Sequence, residues 1–579
     1  MPSKSTKKST LQYIGLGLFA LALLAFTAML GLDNYRLDEG ALTSVIENSF
    51  NAEQSDNWQR DALLAEANAS GIFDREYNST FAFQGALKSL FSGAKQRIED
   101  RLNTEGLPEG KQKWQVEIAD WVLKGKRFEL TQGAAFGPVT NNPLLWLFLT
   151  FGLAIIGGLL YILPKFKSHP GIKHDHIYHS PLTRGLKWSW RTGLIAIGLG
   201  GILAYGVSYM DGKYFWPAVT ALVAGLIAAL VMFVQRSAKN DPARSAGPEG
   251  FSGWLGILAG TYFIGFYILL YWIPQHIVAW VQMVDPVSRA ISGNGASQWF
   301  LYGLMYTVIM AVMGIRMFTK YRHNKYQLIR TGSVIFFQTA FAFLIPEILV
   351  RLNQPWYDFK NIWPLDYDFF FGWQLDQFQS SGAIGMFMLV WGIILIIIGV
   401  PLMVHLVGKR WYCSWVCGCG GLAETLGDPW RQLSDKSLRA WKFERWIIHG
   451  VLAFAVIMTS LTLYTYFSGT SQVLGFRTAA VQKWYGFLIG AGFAGVVGTG
   501  FYPLMGNRVW CRFGCPLAAY LGLVQKFQSR FRITTNGGQC ISCGNCSTYC
   551  EMGIDVRHYA QRGQDVVRAS CVGCGVCAA

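Results

Sequence analysis

"GAIGMFMLVWGIILIIIGVPLMVHLVGKRWYC", residues 382–413, joins a membrane span to a thiol. No Asp, Glu, Lys or Arg occurs from Gly382 to Val407, and about 20 apolar residues suffice to cross the hydrocarbon core. The run ends on Gly408, Lys409, Arg410 and two aromatics, and Cys413 follows at once. A cysteine placed where a helix leaves lipid raises the question of what the remaining sequence builds around it.

Working outward, similar runs occur at 11–32, 143–164, 192–210, 214–234, 251–273, 299–318, 331–350, 446–467 and 484–505, so about ten spans are expected. The composition agrees: 52% of the 579 residues are hydrophobic and 15% charged, with 22 Trp, 25 Tyr and 39 Phe. The net charge of +16 gathers in short loops. "MPSKSTKKST", "PKFKSHPGIKHDHIYHSPLTRGLK", "QRSAKNDPAR", "RMFTKYRHNKYQLIR" and "GKRWYC" are all basic and all fall on one side by alternation. The positive-inside bias makes that side cytoplasmic and puts both termini there, in a bacterial inner membrane. No basic face interleaved with aromatics lies outside those loops, so nucleic acid is not an expected partner. The first run also fits a signal peptide, but it is long and lacks a small-residue cleavage site.

The fold class expected is therefore mainly α, a polytopic helical membrane protein. Residues 1–32 form the N-terminal tail and first span, and 33–142 an exported, mostly helical segment. Residues 143–350 hold spans two to seven, 351–535 spans eight to ten, and 536–579 a cytoplasmic two-cluster ferredoxin-like domain. In the exported segment "FAFQGALKSLFSGAKQRIEDRL" has helical spacing of apolar residues. That segment has neither Cys nor His, so it holds no iron–sulfur centre or His-ligated haem, and docking or structure is its expected use.

All 12 cysteines lie at or beyond Cys413. "GKRWYCSWVCGCG" at 408–420 repeats as "GNRVWCRFGCPLA" at 506–518, pairing Gly408 with Gly506, Arg410 with Arg508, Cys413 with Cys511 and Cys417 with Cys515. A gap of four lays both sulfurs on one helical face or around a turn that caps a helix. The two pairs form either a further cluster, a redox dithiol or merely neighbouring buried thiols. Cys419 is an extra with no counterpart, and Pro516 stands where the first copy has Gly418.

The tail "QCISCGNCSTYC", 539–550, supplies Cys540, Cys543, Cys546 and Cys550, and Cys571, Cys574 and Cys577 follow. In two-cluster ferredoxins the fourth cysteine of each run ligates the other cluster. One [4Fe–4S] is thus expected on Cys550, Cys571, Cys574 and Cys577. The second takes Cys540, Cys543, Cys546 and a ligand near position 581, beyond Ala579. A chain that continues is the expected explanation, against a three-iron centre or a borrowed ligand. Two successive Cys-x2-Cys-x2-Cys runs favour iron over zinc. Glu551 stands where proline usually follows the fourth cysteine.

With "CSWVCGCGGLAETLGD", "CRFGCPLAA" and "CEMGIDV", residues 382–579 resemble the membrane polyferredoxins NosR, NapH and CcoG. The resemblance implies membrane-bound electron transfer through [4Fe–4S] clusters. Its implied setting is nitrous oxide reduction, periplasmic nitrate reduction or cytochrome oxidase maturation. It would place a covalent FMN in 33–142, but the nearest stretch, "SGAKQ" at 92–96, lacks the closing Ser or Thr, so covalent FMN is not expected. NapH-like members have fewer spans, which leaves the six before residue 330 without a counterpart.

Other residues carry weaker signals. His405 and His449, near the same ends of spans eight and nine, are candidate ligands for haem b, though helix-end histidines bonded to carbonyls are the expected reading. His169, His174, His176 and His179 read as a solvated basic loop rather than a metal site. Glu347 inside span seven is either a proton or quinol group or a carboxylate reaching the interface. "NQPWYDFKNIWPLDYDFFFGWQLDQF" reads as an exported aromatic belt. The function expected is electron transfer between a cytoplasmic or quinone-side donor and a membrane or periplasmic partner, a respiratory reductase or oxidase. Quinone and quinol-dehydrogenase-like activity are candidates, and the alternative is an assembly or redox-regulatory factor for such an enzyme.

Overall fold

The computed structural model describes residues 9–47, 58–105, 116, 119, 122–165, 254–529 and 533–578. The expected spans 192–210 and 214–234, the histidine loop at 169–179, and the basic loops before and after those spans lie outside the described residues. The described chain is mainly helical and falls into two compact units, the described residues of 1–165 with 268–305, and those of 254–267 with 306–578.

In the first unit, two helices long and apolar enough to cross a membrane, Thr10–Gly31 and Pro143–Pro164, pack side by side. Ser9 and Gln12 form a reciprocal capping box at the start of the first. Gly15 and Gly157 permit the crossing: a Cβ on either would lie 2.6 Å from the other's carbonyl oxygen. Small residues at such crossings let backbones approach where no hydrophobic force acts between helices in lipid. Beyond them the helices Glu39–Glu47, Trp58–Ser70, Thr80–Thr104 and Arg127–Ala134 surround a core of Tyr35, Leu37, Phe83, Leu87 and Leu90. The 80–104 helix buries Phe83, Leu87, Leu90, Phe91, Ala94, Ile98 and Leu102, the periodic stripe read from the sequence. Asp33 closes the segment at its far end, accepting from the Val139 and Thr140 amides at 2.8 and 3.1 Å.

Six helices among the described residues meet the length and hydropathy of a span. Besides those two they are Gln298–Lys320, Lys325–Arg351, Gly382–Leu406 and Leu438–Ser468. The expected span at 251–273 corresponds to an apolar helix of 19 residues, Trp254–Trp272, which is not counted among the six. The expected tenth, 484–505, is helical to Gly500 but glycine-rich, with a wide-pitched stretch at Gly486–Val497. It is not among the six.

Residues 352–381 do not lie flat as an aromatic belt. They link the ends of two consecutive spans, yet the Lys360 carbonyl accepts from Tyr412 Oη at 2.8 Å. Tyr412 lies six residues beyond the opposite end of the Gly382–Leu406 helix, which is about 37 Å long. The segment therefore folds back along that helix. Tyr357 Oη donates to the Met388 carbonyl and Trp391 Nε1 to the Phe359 carbonyl, at 3.1 and 2.9 Å. Trp363 Nε1 reaches Thr459 Oγ1 at 3.0 Å. Irregular backbone at membrane depth persists only where protein covers it, and here Tyr357, Phe369 and Phe378 form a buried cluster. Of the segment's aromatics only Trp356 and Trp373 are strongly exposed.

Candidate metal centre

The repeated cysteine motifs fold alike. Each begins at a glycine in the left-handed region, Gly408 at φ +84° and Gly506 at φ +93°, which turns the chain out of its helix. Each then closes the same wide turn: the Cys417 amide donates to the Tyr412 carbonyl at 2.8 Å, and the Cys515 amide to the Trp510 carbonyl at 3.0 Å. The second cysteine of each copy caps a helix, Cys417 the Gly418–Thr425 helix and Cys515 the Pro516–Gln528 helix. Of the two geometries compatible with the spacing, the capping turn is the one formed. Both helix N-termini favour negative charge at those sulfurs.

The copies also hold each other. Arg410 of the first donates through Nη1 to the Cys511 carbonyl at 3.2 Å, and Arg508 of the second donates through Nη1 to the Cys413 carbonyl at 3.2 Å. This exchange gives the repeat an internal two-fold relation and sets Cys413, Cys417, Cys511 and Cys515 in one buried core. Arg508 Nη1 also stands 3.7 Å from Cys511 Sγ. Gly420 is required for the fit, since a Cβ there would lie 1.9 Å from the Cys413 carbonyl oxygen.

The thiols feel one another. Burial first, then Cys511 and Cys417, pushes the Cys413 thiol up, against Arg410 and Arg508. Cys515 is pushed up by burial and then by Cys413, Cys511 and Cys417. Cys417 moves the other way, to about 6. The hydrogen bond from Cys419 is the largest influence, ahead of opposing burial and of the Gly420 amide and Lys360. Cys419 thus stands beside Cys417, a neighbour the sequence did not assign it. Four buried thiols with two helix N-termini and two guanidinium groups beside them have the chemistry that an iron–sulfur cluster takes for its ligands.

In the tail, every Cys-x2-Cys step contains one left-handed residue. Ser542 and Gly544 serve the first run, Gly573 and Gly575 the second, at φ +60°, +81°, +68° and +72°. These residues turn the chain sharply between successive cysteines. The two runs are tied by the antiparallel pair Ile533 and Val566. Burial and then the thiols of Cys574, Cys550, Cys571 and Cys546 push Cys577 up. Cys546 is pushed up by burial and, further down the order, by Cys543 and Cys540. Cys577 thus has Cys546 near it as well as Cys550, Cys571 and Cys574, and Cys546 has Cys543 and Cys540. Among the described residues no three His, Cys, Asp or Glu side chains form a group that could hold a single metal ion. All twelve cysteines are free thiols.

Tail and membrane motifs share one core. Ser414, between Cys413 and Cys417, donates through Oγ to the Val572 carbonyl at 2.6 Å. Lys409 Nζ reaches the Val566 carbonyl at 2.8 Å, and Gln327 Nε2 the Cys574 carbonyl at 2.5 Å. Beneath them runs a buried ion-pair chain. Glu424 pairs with Arg330 and Arg508; Glu551 pairs with Arg508 at 3.0 Å and Arg431 at 3.3 Å; Asp428 pairs with Arg431, Arg316 and Lys320 at 3.3, 2.6 and 2.7 Å. Burial pushes the Glu551 carboxyl up, but Arg431 and Arg508 outweigh it and hold the group at about 2. Sequence reasoning noted Glu551 as a departure from the usual proline and assigned it no partner. It missed Lys360, Glu424 and Arg431, which no local pattern marks.

His449 is exposed, and its Nδ1 meets the carbonyl of Arg445 at 2.6 Å, the bond of a helix-end histidine. His405 is half-buried. Glu347 is half-buried and hydrogen-bonded to the Trp356 side chain.

Comparison with known proteins places the match on the repeat. A family described as "4Fe-4S binding domain" matches residues 387–442 and 485–534, which contain both membrane-end cysteine pairs. The Escherichia coli (strain K12) protein named as electron transport protein YccM is 26% identical over 185 residues, 30% of this chain and 50% of that protein. The methylamine utilization ferredoxin-type protein MauN of Paracoccus denitrificans is 29% identical over 153 residues, 25% of this chain and 49% of that one. The chain thus spans about half the length of the curated relatives it matches. No solved structure matches. Together these findings support a membrane-type, polyferredoxin-like 4Fe–4S protein with iron–sulfur clusters.

Proposed function

We propose that this membrane 4Fe–4S protein carries electrons between a donor on the cytoplasmic or quinone side and a membrane or periplasmic redox partner. In this reading Cys413, Cys417, Cys511 and Cys515 hold one centre where the helices leave the lipid. Cys550, Cys571, Cys574 and Cys577 hold a [4Fe–4S], and Cys540, Cys543 and Cys546 hold most of another. The observation that carries the reading is the exchange of arginines between the two motif copies, at 3.2 Å each way. It supports a purpose-built four-thiol site, because neighbouring buried cysteines would need no such symmetry.

The clusters, when bound, supply reversible one-electron chemistry. The protein's own residues fix where they stand. Arg410 and Arg508 orient the cysteine-bearing turns and offset thiolate charge, and the helix N-termini behind Cys417 and Cys515 do the same. The Ser414–Val572 bond limits the Cα separation of Cys413 and Cys571 to roughly 15 Å, which supports transfer between the membrane centre and the tail. The basic character of the short loops supports a cytoplasmic tail.

Anaerobic purification with iron, sulfide and zinc analysis and EPR tests the reading. It expects acid-labile sulfide, iron well above four per chain, about four being one [4Fe–4S], and reducible paramagnetic centres. Stoichiometric zinc with negligible iron would sink it.

A further inference from the structure

Glu551 directly follows Cys550 and has no exposed surface. Its Oε1 accepts from Arg508 Nη2 at 3.0 Å and its Oε2 from Asn507 Nδ2 at 3.2 Å, while Arg431 Nη1 stands 3.3 Å away. The other arm of the same Arg508 holds the Cys413 carbonyl and stands beside Cys511 Sγ. One guanidinium therefore touches both copies of the membrane motif and, through Glu551, the residue next to a tail ligand. We propose that Glu551 is a positioning residue that sets the reduction potentials of the membrane centre and the tail centre, and couples them through Arg508. The proposal rests on the iron–sulfur reading above.

The physical case is electrostatic. These groups are out of water, where charges interact strongly and salt screens them little. Glu551 neutralises part of the field that Arg508 presents to Cys413 and Cys511, and it is itself a negative charge beside Cys550. Both effects disfavour adding an electron. A proline, usual after the fourth cysteine of such a run, would do neither. Ser434 Oγ separately donates to the Glu551 carbonyl at 2.7 Å, so the position is held by its backbone as well as by its charge.

The test is an EPR-monitored redox titration of the full chain, with iron content measured on every sample. Glu551→Gln keeps the shape and removes the charge. It should favour reduction of both centres at least tenfold, a rise of about 59 mV for a one-electron couple, with iron content unchanged. Arg431→Gln removes a cation from the same carboxylate and should shift both potentials down. Ser434→Ala loosens the backbone anchor without changing charge and should shift neither. Should Glu551→Gln fail to assemble its clusters, Glu551→Ala is titrated in its place, with the same rise expected and the same shortfall overturning the proposal. The proposal is overturned if Glu551→Gln, with clusters intact, moves both potentials less than twofold. It is overturned equally if Arg431→Gln raises them or leaves them unchanged, or if Ser434→Ala shifts them as far as Glu551→Gln does. A wild-type chain without clusters would instead defeat the underlying reading.

Discussion

Arg410 and Arg508 each spend one guanidinium on the other copy's cysteine carbonyl, so the thiol site depends on backbone fit as much as on its sulfurs. Gly420 tests that dependence. A methyl group there would overlap the Cys413 carbonyl oxygen at 1.9 Å, and overpacking of this kind costs about 1–3 kcal/mol. Gly420→Ala should lower the unfolding midpoint and the iron content together, while Gly450→Ala, which meets nothing within 4 Å, should leave both near wild type. Asp428 makes a second test. Its carboxyl is buried, which raises it, yet Lys320, Arg316 and Arg431 hold it well below its ordinary value of 3.8. A depressed folded value means that its contribution is present above the unfolded value and is withdrawn as pH falls below it. Asp428→Asn should cost about 3–5 kcal/mol at neutral pH, because three cations lose a buried partner. Thermal unfolding followed from pH 7 downward should show the gap between wild type and variant narrowing on the acid side. At this scale the ligand cysteines were legible, since Cys-x2-Cys and Cys-x3-Cys are local patterns. Arg330 and Glu424 were not, because nothing local announces a pair formed 94 residues apart.

Helices were the easiest elements to read. A span is a property of length and composition, and the runs at 11–32, 143–164, 299–318, 331–350, 382–407 and 446–467 each correspond to a helix of that kind. The glycine-rich run at 484–505 was read as one more; it is helical to Gly500, and its glycines also serve close packing, since Gly486 and Gly490 both stand against Tyr367. Segment 352–381 was misread for a physical reason. Aromatic and acidic residues compose an interfacial belt and a protein-covered re-entrant loop equally well, and only the contacts with Met388, Trp391, Thr459 and Tyr412 separate them. Cysteine substitution checks this directly in intact membranes, against wild-type background labelling. A membrane-impermeant maleimide should label Trp356→Cys and Trp373→Cys, both exposed, from the same face. Ile362→Cys, at 3% exposure, should be protected from both. Equal labelling at all three positions would restore the belt.

At the scale of the molecule, the ferredoxin-like tail is built into the same core as the membrane cysteines. Hydrogen bonds from Lys409, Ser414, Tyr326 and Gln327 reach its backbone. Composition showed that a tail with iron-ligand spacing followed a membrane body, but not that the two would share side chains. In the proposed reading four membrane-end thiols form a metal centre of their own, separate from the tail's. Iron and sulfide quantification on the anaerobically purified full chain, beside a variant with Cys413, Cys417, Cys511 and Cys515 all changed to Ser, tests it most directly. The account predicts that the variant loses about four iron and four sulfide per chain, one [4Fe–4S], while the EPR signals of the tail persist. An unchanged iron content in a folded variant would contradict it.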